Sequence, residues 1–516
     1  MPQDIQFERN SIGFISLNEE QYRVLCETCD SALLAPVSAV ERAAISWLHV
    51  VNEHPVSLAK YRGVFDNSPP DALIAIKSAA STALRAKKTI RSLSGWHASS
   101  NISETTDVLF VSHILNEGQL GAKEDFYFGS LPERARDLGL SCAVVLHDHT
   151  GVNLQDIAEK WPAKSAPRIV FDSTLPWREE WDIRRRLRRQ SRQLALLANE
   201  SGTILQRRIL QCASRQAMSS TSIATLRFYE QLTRLAQRLK SNAIVVTYEG
   251  HAWERLAFAA ARKAVPNVRC IGYQHTILFP RQHAIKRKLG ALFDPNVVLT
   301  AGKVARDILR EATQLDSVQI EVVGTHRFEL PRLGLLEKLS SKEKLSCLVI
   351  PDGTLSECLL ILNFVLDVAL LAPALHFLIR MHPVLAFDAV AAVSPRLKTL
   401  PLNIEISNDT ISADFERSRW ALYRGSSASI HGVIAGLRPF YITCANELTI
   451  DPLYQLTEWR QIIGCPSEFV TKAYSDLESK ADVLSAEWMG AREFCKNYFH
   501  KIDADAFCRE ITGVLG

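Results

Sequence analysis

The chain has 516 residues, of which 47% are hydrophobic and 22% charged, and its formal net charge is +4. This length exceeds what one ordinary core accommodates, so we expect at least two domains with the composition of a soluble globular protein. The small net charge argues against a nucleic-acid-binding protein. The lack of a signal-type start or a bilayer-spanning apolar run predicts a cytoplasmic location.

Residues 1–105 show helical spacing, with helix starts at Asn18 and at Ser38, where Glu41 completes a capping box. We find no chemistry-bearing pattern here and interpret the region as a helical N-terminal extension. Cys26 and Cys29 form one C-x-x-C that fits a helix, and no second pair or nearby histidine completes a zinc site. The eleven scattered cysteines are predicted to be reduced, buried thiols.

Alternating strand and helix patterns begin near Asp107 and predict a first Rossmann-like domain over residues 106–330. Its strands are predicted at residues 108–112, 142–147, 168–172, 244–247, 268–272, 296–300 and 319–323. A long helical stretch over residues 181–239, with a break near Ser219, lies between the third and fourth strands. We expect this domain to bind the acceptor of a transfer reaction.

The long helical stretch opens with six arginines. They are Arg184, Arg185, Arg186, Arg188, Arg189 and Arg192. Such a run is typical of a solvated helix face, and the alternative is contact with anionic lipid head groups or a polyanionic acceptor. The alternative predicts peripheral binding to the inner membrane through residues 184–192.

Residues 331–344 are predicted to be a linker, and residues 345–516 a second Rossmann-like domain that ends in helices. Its strands are predicted at residues 345–350, 375–380, 403–406, 420–423 and 439–443. Two strand–helix series in succession predict an α/β fold with two doubly wound domains that face each other across a cleft. Ligands usually lie in such a cleft.

Polar groups follow the predicted strands of the second domain, where ligands of parallel sheets bind. These candidate phosphate- or nucleotide-binding residues are Gly353, Thr354, Ser356, Arg380, Arg424, Ser426 and Ser427. They provide hydroxyls, cations and helix-start N–H groups, which suit a phosphate. The P-loop and dinucleotide fingerprints are absent, which argues against an ATPase or a dehydrogenase.

His382 follows the strand at residues 375–380 and is held by Pro383. A histidine at this edge can donate a hydrogen bond to a leaving phosphate and offset its growing charge. No Asp-x-Asp sequence or His/Cys ligand set follows a predicted strand, so we expect the reaction to need no metal.

Glu249 follows the strand at residues 244–247 and is the candidate general base for an acceptor hydroxyl. Its alternative role is an N-cap carboxylate for the next helix, predicted to start near Trp253. His251 and His275 follow strands of the same edge and are the rival bases.

These motifs together resemble a known family. Tyr248-Glu249-Gly250, Arg380-Met-His382-Pro383 and Gly425-Ser426-Ser427 resemble the motif set of bacterial GT-B glycosyltransferases that use CMP-activated ulosonic acids, namely the sialyltransferases and the Kdo transferases of capsule and O-antigen synthesis. The resemblance covers about residues 105–490. The chain departs from the sialyltransferase element at Tyr248, where a second acidic residue is often found.

The resemblance implies a GT-B fold and metal-independent transfer of a sugar from a nucleotide-sugar donor, with no further cofactor, to a lipid-linked or oligosaccharide acceptor. Glu249 would be the base, and His382, Ser426 and Ser427 would bind the CMP phosphate. Retaining and inverting stereochemistry both stay open. The alternatives are a transferase of UDP- or GDP-sugars or CDP-polyols, an epimerase, and a scaffold that binds nucleotide sugars without turnover.

Overall fold

The computed structural model describes residues 17–35, 40–65, 73–88, 94–115, 117–119, 121–150, 166–326, 345–445 and 447–512. The predicted linker at residues 331–344 lies outside these ranges. Two sheets form the framework, and every strand predicted above is present.

The first sheet has eight strands in the order β1-β4-β3-β2-β5-β6-β7-β8. They are β1 (Trp96–Ala98), β2 (Val108–Ile114), β3 (Cys142–Asp148), β4 (Arg168–Phe171), β5 (Ala243–Thr247), β6 (Arg269–Gln274), β7 (Val297–Thr300) and β8 (Gln319–Val322). Strands β2 to β8 pair in parallel, and β1 adds an antiparallel edge that the sequence analysis missed. Strand β5 is buried throughout, as expected for a parallel strand covered on both faces.

Helices cover both faces of this sheet. They are α1 (Glu19–Leu34), α2 (Val40–Ala43), α3 (Pro55–Leu58), α4 (Arg62–Phe65), α5 (Ile74–Lys88), α6 (Leu131–Asp137), α7 (Trp177–Glu200), α8 (Ile204–Gln216), α9 (Ser220–Leu239), α10 (Ala252–Ala264) and α11 (Lys303–Arg310). The predicted break near Ser219 is confirmed, since its side chain caps α9. A second break after Glu200 divides the stretch into three helices.

The second sheet has six parallel strands in the order β11-β10-β9-β12-β13-β14. They are β9 (Ser346–Ile350), β10 (His376–Ile379), β11 (Ile404–Ile406), β12 (Trp420–Tyr423), β13 (Arg438–Ile442) and β14 (Gln461–Ile463). The helices that follow β9 along the chain are α12 (Leu355–Leu371), α13 (Phe387–Ala391), α14 (Ile411–Arg417), α15 (Ala428–Ala435), α16 (Pro466–Glu478), α17 (Ala481–Lys496) and α18 (Ala504–Thr512). Two doubly wound α/β units, the architecture that a GT-B-like fold implies, are thus present.

Both ends of the chain pack against the first sheet. The helices α1 to α4 share a hydrophobic core with β2 and β5. On the other face of that sheet, Phe507 and Ile511 of α18 lie against Val108 and Phe110. The predicted domain limits 1–105, 106–330 and 345–516 assign the N-terminal helices and α18 to parts of the chain other than the one that forms the first sheet. In the structure, the buried side chains of both ends pack on the two faces of that sheet.

The cysteines are all free and most are buried, which confirms the prediction for them. Cys26 and Cys29 lie in α1, with core positions on one side of that helix. In the described parts of the chain, no helix is long and apolar enough to cross a membrane.

Candidate active site

Each sheet has a point where the strand order reverses. In the first sheet the chain moves outward from β2 through β3 and β4, and then from β5 in the opposite direction. In the second sheet the reversal lies between β9 and β12. Loops at the carboxyl ends of such strands diverge and leave a crevice for a ligand. Glu249 follows β5, Gly353 follows β9 and Ser427 follows β12, so all three stand at these crevices.

A cavity of about 130 Å³ joins the two crevices. Glu249 and Ser427 both line it. Glu249 lies in the first half of the molecule, by which we mean the part with the first sheet, and Ser427 lies in the second half, the part with the second sheet. The complete lining is Asn52, Glu249, Thr276, Ile277, Phe279, Gln282, Gly425 and Ser427. The structure therefore brings together the predicted base and one predicted phosphate-binding hydroxyl.

The turn that carries Glu249 is fixed by another carboxylate. Glu254 Oε2 accepts hydrogen bonds from the backbone N–H groups of Glu249 (2.9 Å), Gly250 (2.7 Å) and His251 (2.8 Å). Gly250 has φ +91°, and a Cβ there would lie 2.4 Å from the carbonyl carbon of Ala284. Glu254 thus caps α10, which begins at Ala252. The alternative role of Glu249 as the cap of this helix is wrong.

His251 lies beside the candidate base, with Nε2 3.4 Å from Glu249 Oε2. Burial disfavours its imidazolium form, but the hydrogen bond to Glu249 and the charge of Glu254 outweigh this and raise the pKa of His251. Burial also raises the pKa of Glu254, to about 7. Glu249 and His251 therefore form a pair in which the carboxylate favours the charged imidazolium.

His275 lies apart from the cavity lining. It is buried, and its ring is 4.8 Å from that of Tyr127 and 6.1 Å from that of Tyr273, measured between centroids. This rival base is therefore held in an aromatic cluster. His251 is the rival that the structure places next to Glu249.

Three further histidines lie at the carboxyl ends of β2 and β3. The rings of His113 and His149 are 5.6 Å apart, and those of His147 and His149 are 4.5 Å apart. Burial lowers the pKa of His147 well below its usual value, and the charges of His149, His113 and His251 add to this effect. The imidazoles of His113, His147 and His149 thus line the first sheet's edge near His251.

The predicted phosphate-binding residues Gly353, Thr354 and Ser356 follow β9 and are called here the phosphate cradle. His382 covers this cradle. A Cβ on Gly353 would lie 2.6 Å from Val384 Cγ2 and 2.9 Å from His382 Nδ1, so a larger residue there would displace these side chains. The Val384 N–H donates to the same nitrogen at 3.3 Å. Burial lowers the pKa of His382, partly offset by the charge of Asp352. A neutral His382 whose Nδ1 accepts a hydrogen bond carries its proton on Nε2, from which it can donate to a ligand.

Asp352 organises this cradle and was missed by sequence reasoning. Its Oδ1 accepts from the Thr354 N–H (2.8 Å) and hydroxyl (2.7 Å), and its Oδ2 lies 2.9 Å from His54 Nε2. The Thr354 hydroxyl is thus already engaged in this turn. Ser356, in the first turn of α12, is half-buried.

His54 and Asn52 come from the N-terminal region for which the sequence predicted no chemistry. A Cβ on Gly425 would lie 3.6 Å from both His54 Nε2 and Asp352 Oδ2. The only sequence signal was His54-Pro55, an ordinary helix start. Its partner Asp352 is 298 residues further along the chain, a pairing that no local pattern indicates.

The two predicted cations are bound by carboxylates of the protein itself. Arg380 pairs with buried Asp414 at 2.7 Å. Arg424 is 2% exposed and lies between Glu357 (2.5 Å) and Glu447 (2.7 Å). The guanidinium N–H groups of both arginines therefore bind carboxylates around the second sheet. These contacts give no support to the predicted phosphate-binding role of either arginine.

The two serines after β12 face different surroundings. Ser426 is buried, and its carbonyl accepts from the Ser429 hydroxyl at 2.8 Å, which tightens the first turn of α15. Ser427 is exposed and lines the cavity at the N-terminus of α15, where backbone N–H groups suit an anion. Among the described residues, no group of three or more His, Cys, Asp or Glu side chains is arranged to hold a metal ion.

Comparison with known proteins gives no family assignment. No protein-family model matches the sequence, and no curated protein matches it either. Among solved structures, the chain is similar to Acinetobacter baumannii MurG (11% identity, 79% of this chain and 99% of that one, TM-score 0.44). It is also similar to S. aureus MnaA in complex with UDP (12%, 80% and 97%, 0.44) and to the glycosyltransferase SnogD from Streptomyces nogalater (13%, 80% and 100%, 0.41). At these identities and TM-scores the likeness carries no information about activity.

Proposed function

We propose that the protein is a metal-independent glycosyltransferase that moves an ulosonic acid, of the Kdo or sialic acid type, from a CMP-activated donor to a surface-polysaccharide or lipid-linked oligosaccharide acceptor. The observation that carries the proposal is a cavity that both Glu249 and Ser427 line, at the strand-order reversals of two facing sheets. Such a cleft gives a donor and an acceptor one common space. The family motifs supply the choice of donor.

The second half would hold the donor. Ser427, the residue before α15, presents its hydroxyl to the cavity, and His382 covers the cradle at Gly353. In the transfer step the bond between the anomeric carbon and the CMP phosphate breaks, and the electron pair leaves with the phosphate. A proton on His382 Nε2 would stabilise that leaving oxygen by a hydrogen bond.

The first half would bind and activate the acceptor. Glu249 would remove the proton of the acceptor hydroxyl as its oxygen bonds to the anomeric carbon. His251, 3.4 Å away, would hold the carboxylate in position and share the proton it receives. Glu254 binds the backbone of the same turn and so fixes the position of the Glu249 main chain at the cavity.

A nucleotide panel tests the donor. A ligand that binds only the folded state raises the melting temperature, so CMP should stabilise the protein more than UDP, GDP or CDP at equal concentration. Preference for UDP or GDP would redirect the proposal to another sugar donor, and flat responses to all four would favour a non-catalytic scaffold. Turnover that is lost in EDTA and restored by magnesium would contradict the metal-independent step.

His382→Ala tests the leaving-group role. We expect turnover to fall by about 100-fold or more, because a hydrogen bond to developing charge is lost. Leu402→Ala, at a fully exposed position in the same half, serves as the control and should behave like wild type. Wild-type turnover in the His382 variant would remove this assignment.

A further inference from the structure

Helices α7 and α5 each expose large apolar side chains. On α7, Trp177 is 71% and Trp181 65% exposed. On α5, Ile76 is 65% and Leu84 62% exposed. Large apolar residues grouped in this way on a protein surface mark contact sites more often than isolated ones do.

The exposed residues of α7 form one line along the helix. Successive members are three or four positions apart, which places them on one face. They are Trp177, Trp181, Arg185, Arg188, Arg192 and Leu196. The opposite face is buried and carries Ile183, Leu187 and Leu194. Helix α7 thus has a core side of aliphatic residues and an outer side of tryptophan and arginine.

Helix α5 packs mainly on α9 and α8, and Arg184 of α7 reaches it with its side chain. Arg184 Nη2 donates to the Ser78 carbonyl at 3.1 Å and to the Thr82 hydroxyl at 2.7 Å. Ile76 and Leu84 lie on the other side of α5 from these two contact positions, so they are not part of the exposed line on α7. We call the exposed residues of α7 the Trp–Arg surface, defined as Trp177, Trp181, Arg185, Arg188, Arg189 and Arg192.

The arginine run divides into structural and surface members. Arg184 bonds to α5, and Arg186 pairs with Glu41 and Glu230, so both hold helices together. Arg188, Arg189 and Arg192 are exposed, and no ion pair is found for them within the described parts of the chain. The outer side of α7 therefore carries positive charge next to its two tryptophans.

We propose that the Trp–Arg surface docks the protein peripherally on a bilayer that contains anionic phospholipid. Arginines attract the anionic head groups, and tryptophan rings favour the boundary between head groups and acyl chains. A soluble polyanion or a nucleic acid would account for the arginines but not for the exposed Trp177 and Trp181. The inference does not depend on the proposed transferase activity, because it concerns a surface formed by other residues.

Co-sedimentation with vesicles tests the docking. The full chain should bind vesicles of equal parts phosphatidylglycerol and phosphatidylcholine at least tenfold more strongly than pure phosphatidylcholine, and less strongly in 0.5 M salt. The triple variant Arg188→Glu, Arg189→Glu, Arg192→Glu should lose this preference. Leu402→Ser, at an exposed apolar position of the second half, is the matched control and should bind normally. Equal binding to both vesicle types, or unchanged binding of the triple variant, overturns the proposal.

Tryptophan fluorescence separates insertion from simple charge attraction. Lipids brominated near the head group should quench part of the emission, and the variant Trp177→Phe, Trp181→Phe should keep most of its binding while losing that quenching. Quenching that is the same in wild type and the double Phe variant, or binding without any quenching, would show a contact by charge alone and overturn the docked orientation. None of these measurements uses turnover, so they stand or fall separately from the proposed reaction.

Discussion

Glu249 and Glu254 are carboxylates five residues apart that have opposite surroundings. Glu254 is buried and accepts three backbone hydrogen bonds, whereas Glu249 is partly exposed and lines the cavity. One side chain therefore builds the turn and the other is presented to a ligand. This division separates a structural role from a chemical one within a single loop.

Glu249→Gln should abolish base catalysis while leaving the fold intact. The amide cannot take a proton, so we expect turnover to fall by roughly 10²–10⁴-fold. Nucleotide affinity and melting temperature should stay close to wild type. Turnover with the acceptor, nucleotide titration and thermal unfolding are measured on the same preparation.

Glu254→Ala is the matched control for this variant. It leaves one buried and two partly buried N–H groups without their acceptor, and we expect a loss of roughly 2–3 kcal/mol of stability. If the Glu249 variant instead kept turnover within a few-fold of wild type, Glu249 would not be the base. His251 would then be the group to test, since His275 lies in the aromatic cluster.

At the scale of elements, a short N-terminal segment completes the cleft. Residues 51–54 run along the loop after β6, where the Val51 carbonyl accepts from the His283 N–H at 3.1 Å. Asn52 lines the cavity, and His54 reaches Asp352 in the second half. The predicted N-terminal extension is therefore part of the candidate site.

His54→Ala should weaken binding of the nucleotide. Its hydrogen bond to Asp352 Oδ2 offsets part of the negative charge of a carboxylate that lies next to the phosphate cradle. Without it that charge repels the donor, and we expect about tenfold weaker affinity, which corresponds to about 1.4 kcal/mol. The double variant His54→Ala, Asp352→Asn should recover most of the affinity, because the repelling charge is gone. An affinity of the double variant no better than that of the single one would argue against this electrostatic account.

Glu53, which lies between Asn52 and His54 in the sequence, should make the stability of the fold depend on pH. It is 1% exposed, its Oε1 accepts from the Arg281 N–H at 2.5 Å, and no hydrogen bond to its Oε2 is found within the described parts of the chain. Burial raises its pKa from 4.5 to about 7. The unfolded chain therefore ionises at lower pH than the folded one, and stability is lost as pH rises from about 4.5 through 7.

Glu53→Gln removes this charge and keeps the acceptor oxygen. The pKa difference corresponds to on the order of 3 kcal/mol, so the variant should unfold at a higher temperature than wild type at pH 8. At pH 4.5 the two should be alike, since wild-type Glu53 is then protonated in the folded state. Thermal unfolding at both pH values checks this, and equal melting temperatures at pH 8 would contradict the buried-charge account.

For the whole molecule, local patterns predicted the sheets but not the partners of the polar residues. Short apolar runs marked the strands, and their ends located Glu249, Gly353 and Ser427 at the cleft. The ion pair between Arg424 and Glu357, which lies 67 residues earlier, is not indicated by any local sequence pattern. The same holds for His54 and Asp352, because their contact depends on how the two halves meet.

The C-terminal helix gives the clearest case, because its sequence predicts a helix but not the sheet that it covers. Phe507 is fully buried in α18 and its ring stacks on Phe110 of β2, with centroids 6.1 Å apart. By sequence order it belongs to the second half. By packing it seals a face of the first sheet together with Val245 and Ile271.

Phe507→Ala should therefore loosen the first sheet and spare the second. Removing a buried phenylalanine costs about 3–5 kcal/mol, and the cost falls on the elements that lose its contacts. Backbone hydrogen exchange should become faster in β2 and β5 and stay unchanged in β9 and β12. The matched control is Phe469→Ala in α16, a fully buried ring that packs on Phe377 and Phe440, which should show the reverse pattern. Faster exchange in β9 and β12 of the Phe507 variant would instead assign α18 to the second half, as sequence order alone suggests.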